Sequence, residues 1–327
     1  LFKKNEWDDK PLFEQTDLLA LSIAADIVQV LDENRVLAYL GLQQFNEHPR
    51  PAFLSLLSLA KKQLPLTLTD LVFVLAPRIN AAGRLSSGKT AVQLMVEGDP
   101  DLIDAIANEI NVDNTNRRAL DKDITAHALQ LLEEDPEFDS RKSTVVFHPS
   151  WHKGVVGIVA SRLIEKHFKP TIVLTESNGM ITGSARTVND FDIHAALCEC
   201  EDLLVQFGGH THAAGLSLLP ENLTAFQERF EEVVQRCIQV EDLLIKQHID
   251  AGIHLNQVYL PGESFAKIPR FMRVLQEFEP FGPGNMKPVF LFKQVYSHSN
   301  LLLKEAHLKL QVQQKDSPVK LDAIGFN

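Results

Sequence analysis

The sequence has 327 residues, of which 45% are hydrophobic and 23% charged, values typical of a globular protein with about two to three domains. Its 43 acidic and 32 basic residues give a formal charge of −11, which argues against a general nucleic-acid binder. No apolar run approaches about 18 residues and no basic segment precedes an apolar one, so we expect neither a membrane span nor a signal peptide. Three cysteines without a CxxC pair indicate a reducing compartment, hence the cytoplasm.

The first predicted element is a nearly continuous apolar stretch from Leu18 to Val30, which contains Asp26. A carboxylate buried in such a stretch is costly unless it is ion-paired or bound to a metal. The simpler interpretation of Asp26 is a helix cap or a salt-bridged aspartate, and a metal ligand is the alternative.

The next segment, APRINAAGR over residues 76–84, places Arg78 and Arg84 six residues apart, with Asn80 between them. Small residues let a ligand approach the backbone, and arginine offers a fixed fork of donors to phosphate or carboxylate. A loop leading into a helix with ordinary surface arginines explains the pattern equally well, so both interpretations stay open.

Residues 99–136 contain apolar residues at three- and four-residue spacing, with a polar middle over 111–118. The pattern predicts a helix of about 35 residues, which would span roughly 50 Å. A polar middle between apolar ends favours a bridge between two domains.

Residues 143–240 predict a compact α/β unit with strands over 143–147, 171–175, 180–185 and 214–219. Helices are predicted over 154–167, over 193–207 with Gly208 and Gly209 as its stop, and over 223–237.

Two groups of residues in this unit could carry chemistry. Ser184 and Arg186 lie two apart on a predicted strand, so both side chains share one face and can converge on a phosphate. Gly208, Gly209 and His210 offer backbone amides for an anion nest and an imidazole for phosphate chemistry. The alternatives are an edge strand with alternating polar residues and a glycine-rich helix end with a satisfied histidine.

The last segment predicts a small β domain, truncated at its end. A strong turn signal, FGPGN, occupies residues 281–285, and short strands are predicted over 289–295, 307–313 and 319–324. Phe281 and Tyr296 are interpreted as core residues, with base stacking as the alternative.

Taken in order, several motifs resemble the RecJ exonucleases of the DHH phosphoesterase superfamily. These are APRINAAGR, WHKGVVGIVASRL, GSAR, FDIHAAL and QFGGHTHAAGLSL, and the tail EPFGPGNMKPVF, HLKLQV and LDAIGFN is similar to the family's oligonucleotide-binding barrel. The segment around Asp26 resembles the family's ADxxPL element, although Gln29 and Val30 replace the usual Pro-Leu.

The resemblance implies an α/β chain made of four parts. Residues 1–97 would be the end of a DHH catalytic domain, and 98–137 a long connecting helix. Residues 138–240 would be a DHH-associated α/β domain with the GGH motif, and 241–327 a partial OB-type β-barrel.

The resemblance also implies an activity, the 5′-to-3′ hydrolysis of single-stranded DNA to mononucleotides with two Mn²⁺ or Mg²⁺ ions. The implied processes are DNA recombination and repair. Asp26 would be a catalytic metal ligand, and Arg84, Ser184 and Arg186 would hold the 5′ end or backbone phosphates. The implied GGH element, Gly208 to His210, would face the scissile region, with Arg78 and Asn80 as supporting residues. The implied partners are single-stranded DNA, a helicase and a single-strand-binding protein, and the implied state is a monomer.

One departure bears on activity, because the family's Asp-His-His triplet is absent and no Asp-His pair occurs. We therefore expect a fragment that lacks most metal ligands and is inactive alone. The alternatives are a DHH-type oligoribonuclease or nucleotide phosphatase, which lacks the long helix and barrel, and a module that only binds single strands.

Overall fold

The computed structural model describes residues 8, 10–259, 263–264 and 267–326. The longer helices are α1 (Thr16–Ala25), α2 (Asp32–Glu47), α3 (Pro51–Ala60), α4 (Ala76–Leu85), α5 (Gly88–Val96), α6 (Pro100–Glu133), α7 (Val156–His167), α8 (Ile193–Cys198), α9 (Leu223–Cys237) and α10 (Arg270–Gln276). The strands are β1 (Thr144–Phe147), β2 (Thr171–Ser177), β3 (Met180–Arg186), β4 (Gln206–His210), β5 (Ala213–Leu218), β6 (Ala251–Gly252), β7 (Phe290–Leu291), β8 (Val295–Leu303), β9 (His307–Gln314) and β10 (Lys320–Gly325). No helix in the described part of the chain is both long and apolar enough to span a membrane.

The chain divides into two compact units. The first comprises residues 1–50, 62–76 and 247–327, and the second comprises residues 51–61 and 77–246. A short π-helix, Leu71–Leu75, lies in the first unit just before α4 begins.

The second unit is built on a five-stranded sheet with the strand order β1-β2-β3-β5-β4. Only β1 and β2 pair in parallel in this sheet, and the other neighbours are antiparallel. Successive residues of β2 point to opposite faces, so Ile172 and Leu174 join the core beneath α8 and α9, whereas Val173 joins the core beneath α6 and α7. The sheet is therefore covered by helices on both faces.

The predicted long helix is confirmed as the 34-residue α6. Asp99 caps its first turn by accepting a hydrogen bond from the Asp101 amide at 2.9 Å. Its first half contacts α3, where Ser55 Oγ donates to Asp104 at 2.6 Å. Its second half buries Ile124 and other apolar residues against α7 and the sheet. Helix α6 thus links the helices before it to the sheet within the second unit.

The helix predicted over 193–207 is wrong in its second half. Helix α8 ends at Cys198, a 3₁₀ turn covers Glu201–Leu203, and residues 206–210 form strand β4. Leu203 and Phe207 still pack on the core that holds Leu197, so apolar spacing alone does not distinguish the two structures. The antiparallel ladder between β4 and β5 decides the backbone conformation.

In the first unit, α1 packs against α2 and a buried ion pair fixes the start of α1. Asp17 is fully buried, and its carboxylate accepts hydrogen bonds from Arg50 Nε at 2.6 Å and Arg50 Nη2 at 3.0 Å. Such a two-point pair satisfies both carboxylate oxygens and offsets the cost of burial.

The remaining part of the first unit contains the predicted β domain. Strands β8, β9 and β10 form an antiparallel sheet in the order β10-β9-β8. The strands predicted over 307–313 and 319–324 are confirmed within a residue or two as β9 and β10. The strand predicted over 289–295 is wrong, because β7 covers only Phe290–Leu291 and β8 runs from Val295 to Leu303.

Candidate functional site

An open cleft of about 940 Å³ in the second unit brings together Arg84, Ser184 and Arg186. Residues of the loop before α7 also line this cleft, among them His152 and Lys153. His152 and Lys153 belong to the WHKG stretch that carries the family resemblance, although neither is among the predicted site residues. Three of the predicted phosphate-binding side chains therefore share one site.

Strand β3 positions two of these side chains. Ala185 points into the core and is fully buried, so its neighbours Ser184 and Arg186 both point to the opposite face. Arg186 Nη1 donates to Ser184 Oγ at 2.7 Å and to the Ala185 carbonyl at 2.8 Å. These two bonds hold the guanidinium in one orientation and confirm the predicted shared face.

The first turn of α7 lies against the same pair. A Cβ atom on Gly157 would be 3.1 Å from Arg186 Nη2 and 3.1 Å from Ser184 Oγ, which is tighter than an ordinary contact. Glycine at this position lets the amino end of α7, with its partial positive charge, approach the guanidinium and the hydroxyl. All of these groups favour an anion.

Arg84 adds the second guanidinium from the last turn of α4. Its side chain is exposed, and its Nη1 donates to the Gly154 carbonyl at 3.3 Å. The pKa of Arg186 is lowered from its ordinary value, first by burial and then by the positive charge of Arg84. Two guanidiniums this close repel each other, and a bound anion would relieve that repulsion.

Arg78 and Asn80 do not line the cleft. Both lie on helix α4 and not on a loop. Arg78 Nε donates to Asn111 Oδ1 at 3.1 Å, and the pKa of Arg78 is lowered by burial and by the charge of Arg118. Arg78 thus joins α4 to α6, and Asn80 is exposed.

The GGH element lies on an antiparallel hairpin and not at the end of a helix, so the alternative of a glycine-rich helix end is wrong. In the antiparallel ladder between β4 and β5, Gly208 pairs with Gly215 and His210 pairs with Ala213. Gly208 lines a second, smaller cleft of about 340 Å³, which shares Thr182 and Gly183 with the first. His210 is exposed, and its Nδ1 accepts from the His212 amide at 3.2 Å.

Asp26 is exposed at the end of α1, so the predicted burial is wrong. Its backbone amide donates to the Ser22 carbonyl at 3.0 Å and closes the last turn of the helix. Within residues 8, 10–259, 263–264 and 267–326, no group of three or more His, Cys, Asp or Glu side chains is arranged to hold a metal ion. The residues described thus do not by themselves fit a two-metal centre.

Comparison with protein families identifies two domains. Residues 141–236 match the DHHA1 domain, and residues 265–327 match the RecJ OB domain. The fold is therefore a mixed α/β, DHH-associated fold with an OB domain.

Curated relatives match almost the whole chain. The single-stranded-DNA-specific exonuclease RecJ of Bacillus subtilis is 32% identical over 319 residues, which cover 96% of this chain and 39% of that protein. The enzyme of the same name from Escherichia coli is 32% identical over 333 residues, 97% of this chain and 55% of that protein. The chain spans about half the length of the curated relatives it matches.

Solved structures give the same result. RecJ from Thermus thermophilus in complex with Mn²⁺ superposes with a TM-score of 0.80 at 27% identity, over 100% of this chain and 48% of that chain. Its complex with Mg²⁺ gives the same score and identity, over 50% of that chain. An exonuclease RecJ bound to manganese matches 74% of this chain with a TM-score of 0.61 at 30% identity, over 59% of its own length.

Proposed function

We propose that the chain is part of a RecJ-type exonuclease and that it holds the 5′ end of single-stranded DNA for hydrolysis to mononucleotides, in DNA recombination and repair. The observation that carries the proposal is the cleft in which Arg84, Ser184 and Arg186 converge. The names of the relatives support the choice of single-stranded DNA as substrate.

The charge of the cleft favours a terminal phosphate over an internal one. A phosphate monoester carries about −1.5 to −2 charges at pH 7, whereas each phosphodiester carries one. Arg84 and Arg186 line the same cleft, so an anion bound there can interact with both guanidiniums. The Ser184 hydroxyl, already held by Arg186, adds a third polar contact.

A divalent metal belongs to the proposal because RecJ structures contain Mn²⁺ or Mg²⁺. Such ions supply Lewis-acid activation of water when they are bound. Asp26 is the proposed ligand from this chain, and His210 with Gly208 and Gly209 is proposed to face the scissile phosphate. Because the described residues do not assemble a metal centre, the role proposed for this chain is to bind the strand, and hydrolysis needs ligands from outside these residues.

The proposal also covers the domain boundaries, the location and the partners of the protein. The proposed domains are residues 1–97, 98–137, 138–240 and 241–327. Three free cysteines, Cys198, Cys200 and Cys237, favour a reducing compartment, so the proposed location is the cytoplasm. The proposed partners beyond DNA are a helicase and a single-strand-binding protein, with the chain as a monomer.

The test is the affinity of the chain for single-stranded decamers with a 5′-phosphate or a 5′-hydroxyl, measured by fluorescence anisotropy in EDTA. We expect the wild type to prefer the 5′-phosphate and Arg186→Ala to weaken that complex about 10- to 100-fold, the effect of losing one or more charge-assisted hydrogen bonds. Arg229→Ala is the matched control, because Arg229 is an exposed cation paired with Asp202 at 3.4 Å. Equal loss of affinity for both decamers in Arg186→Ala would contradict a role at the 5′ end.

Hydrolysis is tested separately with the purified chain and Mn²⁺. We expect negligible degradation of a single strand, and robust degradation would show that the metal ligands are complete within these residues.

A further inference from the structure

Strand β1 leaves one edge of the five-stranded sheet open. It is the first strand in the order β1-β2-β3-β5-β4, so β2 pairs with one of its sides, and no strand of the described chain pairs with the other. The amides of Thr144 and His148 donate to carbonyls on the β2 side, at 2.8 and 3.2 Å. Because successive residues of a strand alternate in direction, the amides of Val145 and Phe147 point to the open side. An edge of this kind can pair with a further strand.

Helix α9 covers only the first part of this edge. The Glu231 carboxylate accepts hydrogen bonds from the Lys142 and Ser143 amides at 2.8 and 2.9 Å, and Gln227 Nε2 donates to the Val145 carbonyl at 3.3 Å. These two side chains satisfy the start of β1 in the way that a neighbouring strand would. None of the three bonds involves the Val145 amide, so the edge stays open to a strand from this residue onward.

A cleft lies on each side of the open edge. The larger cleft, of about 400 Å³, is lined by β1 and α9. The smaller cleft, of about 190 Å³, is lined mainly by β1 and the end of α6. Leu132, Phe138 and Val146 line the smaller cleft and belong to the core beneath α6 and α7. Because side chains of a strand alternate between the two faces of a sheet, a strand beside β1 would place every second side chain in each cleft.

The larger cleft is acidic. Its lining includes the carboxylates of Glu137, Glu228, Glu231 and Glu232. Arg141 also lines it, but this guanidinium is already paired with Asp135 at 2.7 Å and with Glu137 at 2.8 Å. Glu228 and Glu232 are exposed and lie four residues apart on α9, so their like charges repel each other. A cationic side chain would relieve this repulsion, whereas a nucleic-acid phosphate would add to it.

We propose that the open edge of β1 binds an extended, basic segment of a partner protein as a sixth strand of the sheet. In this segment lysine or arginine would alternate with apolar residues, the basic ones facing α9 and the apolar ones facing α6. The site shares no lining residue with the cleft of Arg84, Ser184 and Arg186, so the proposal goes beyond the binding of DNA and does not depend on it. The competing role for Glu231 and Gln227 is to protect the edge from any partner.

The probe is a short peptide of alternating lysine and valine, blocked at both ends and titrated into the intact chain in EDTA. One comparison peptide alternates glutamate with valine, and another carries the same lysines and valines in two separate blocks. We expect the alternating basic peptide to bind about 10-fold more tightly than either, as for two or more ion pairs gained beside a strand. The acidic peptide is repelled, and the block peptide cannot place its lysines on one face. Fluorescence anisotropy measures the three affinities.

Hydrogen exchange at single amides shows where the peptide binds. At saturation, exchange of the Val145 and Phe147 amides should slow about 10-fold or more, because they gain acceptors from the peptide backbone. The amides of Thr144 and His148 already donate towards β2, so their exchange should change by less than about twofold. Binding without protection of Val145 and Phe147 would overturn the pairing with β1.

A double variant tests the charge of the larger cleft. Glu228→Gln combined with Glu232→Gln should weaken the basic peptide about 3- to 10-fold, as for two exposed ion pairs. The matched control combines Glu109→Gln with Glu201→Gln, since both residues are exposed and line neither cleft. We expect the control to stay within about twofold of wild type.

Three results would contradict the proposal. They are equal weakening in both double variants, unchanged affinity in the cleft variant, and a wild type that binds none of the peptides. The affinity for the 5′-phosphorylated decamer should be the same with and without the peptide. Failure of the peptide experiments therefore leaves the function proposed for the cleft of Arg84 intact.

Discussion

The cleft around Arg186 and the end of helix α1 at Asp26 differ in the partners of their charged groups. In the cleft, Arg186 is held by Ser184 and by the Ala185 carbonyl, and Arg84 lies close enough to lower its pKa. Asp26 is exposed, and no metal-binding cluster is found within the described residues. The comparison shows that the side chains suited to an anion, Arg84, Ser184 and Arg186, all lie within the second unit. A single exposed carboxylate such as Asp26 does not define a metal site.

The same helix supplies a second contrast between its two ends. Asp17 at the start of α1 is buried and bonded twice by Arg50, and Asp26 at its end is in solvent. The costly carboxylate of this segment is therefore Asp17, and its partner is an arginine and not a metal.

The largest expected effect tests this contrast. Asp17→Ala removes the carboxylate from the partly buried Arg50 guanidinium, which keeps its bonds to the Glu14 carbonyl and to Gln15 Oε1. We therefore expect the opening free energy of α1 to fall by about 3 kcal/mol, the lower end of the cost of breaking a buried ion pair. Hydrogen exchange of the α1 amides measures that quantity for this segment alone.

Asp26→Ala is the matched control, because it also removes an aspartate carboxylate from α1, at the opposite end of the helix. We expect a change within about 0.5 kcal/mol, as for an ordinary surface substitution. Comparable losses in both variants would show that Asp26 has a structural partner and would remove the contrast.

The next effect tests the preorganisation of the cleft. Gly157→Ala places a methyl group 3.1 Å from the Arg186 guanidinium and the Ser184 hydroxyl, so the guanidinium must move. We expect affinity for the 5′-phosphorylated decamer to fall about 10-fold, equivalent to about 1.4 kcal/mol. Thermal unfolding should be unchanged or slightly higher, since alanine favours a helix over glycine.

The variant is informative because we expect it to lower the affinity for the strand without lowering the stability of the fold. Loss of stability together with loss of affinity would indicate general damage to the packing of α7. Unchanged affinity would show that the Arg186 orientation seen in the structure does not matter for binding.

The smallest expected effect separates the GGH hairpin from the cleft. His210 is exposed and does not line the cleft, so His210→Ala should change affinity for the 5′-phosphorylated decamer by less than about twofold, or about 0.4 kcal/mol. The same anisotropy assay measures it, and a large loss would mean that the hairpin contacts the 5′ end.

Local patterns predicted the parts of the fold that depend on near neighbours. Helix α6 and helix α9 follow from apolar periodicity, and the shared face of Ser184 and Arg186 follows from strand alternation. The family motifs placed Arg84 in one site with Ser184 and Arg186. Residue spacing could not do so, because strand β3 lies about 100 residues further along the chain.

The errors have a common physical origin in distant partners. Strand β4 forms because β5 pairs with it, although residues 203–207 also fit a helical apolar pattern. The burial of Asp17 depends on Arg50, which lies 33 residues further along the chain. Strand β8 is exposed along almost its whole length, so it lacks the alternation that would have predicted it.

A crystal structure of the chain with a 5′-phosphorylated tetranucleotide tests the central claim most directly. We predict the terminal phosphate in the cleft, with its oxygens about 2.7–2.9 Å from the guanidinium nitrogens of Arg186 and within hydrogen-bond distance of the Ser184 hydroxyl. A terminal phosphate bound elsewhere, with only internal phosphates or no strand in the cleft, would contradict the claim.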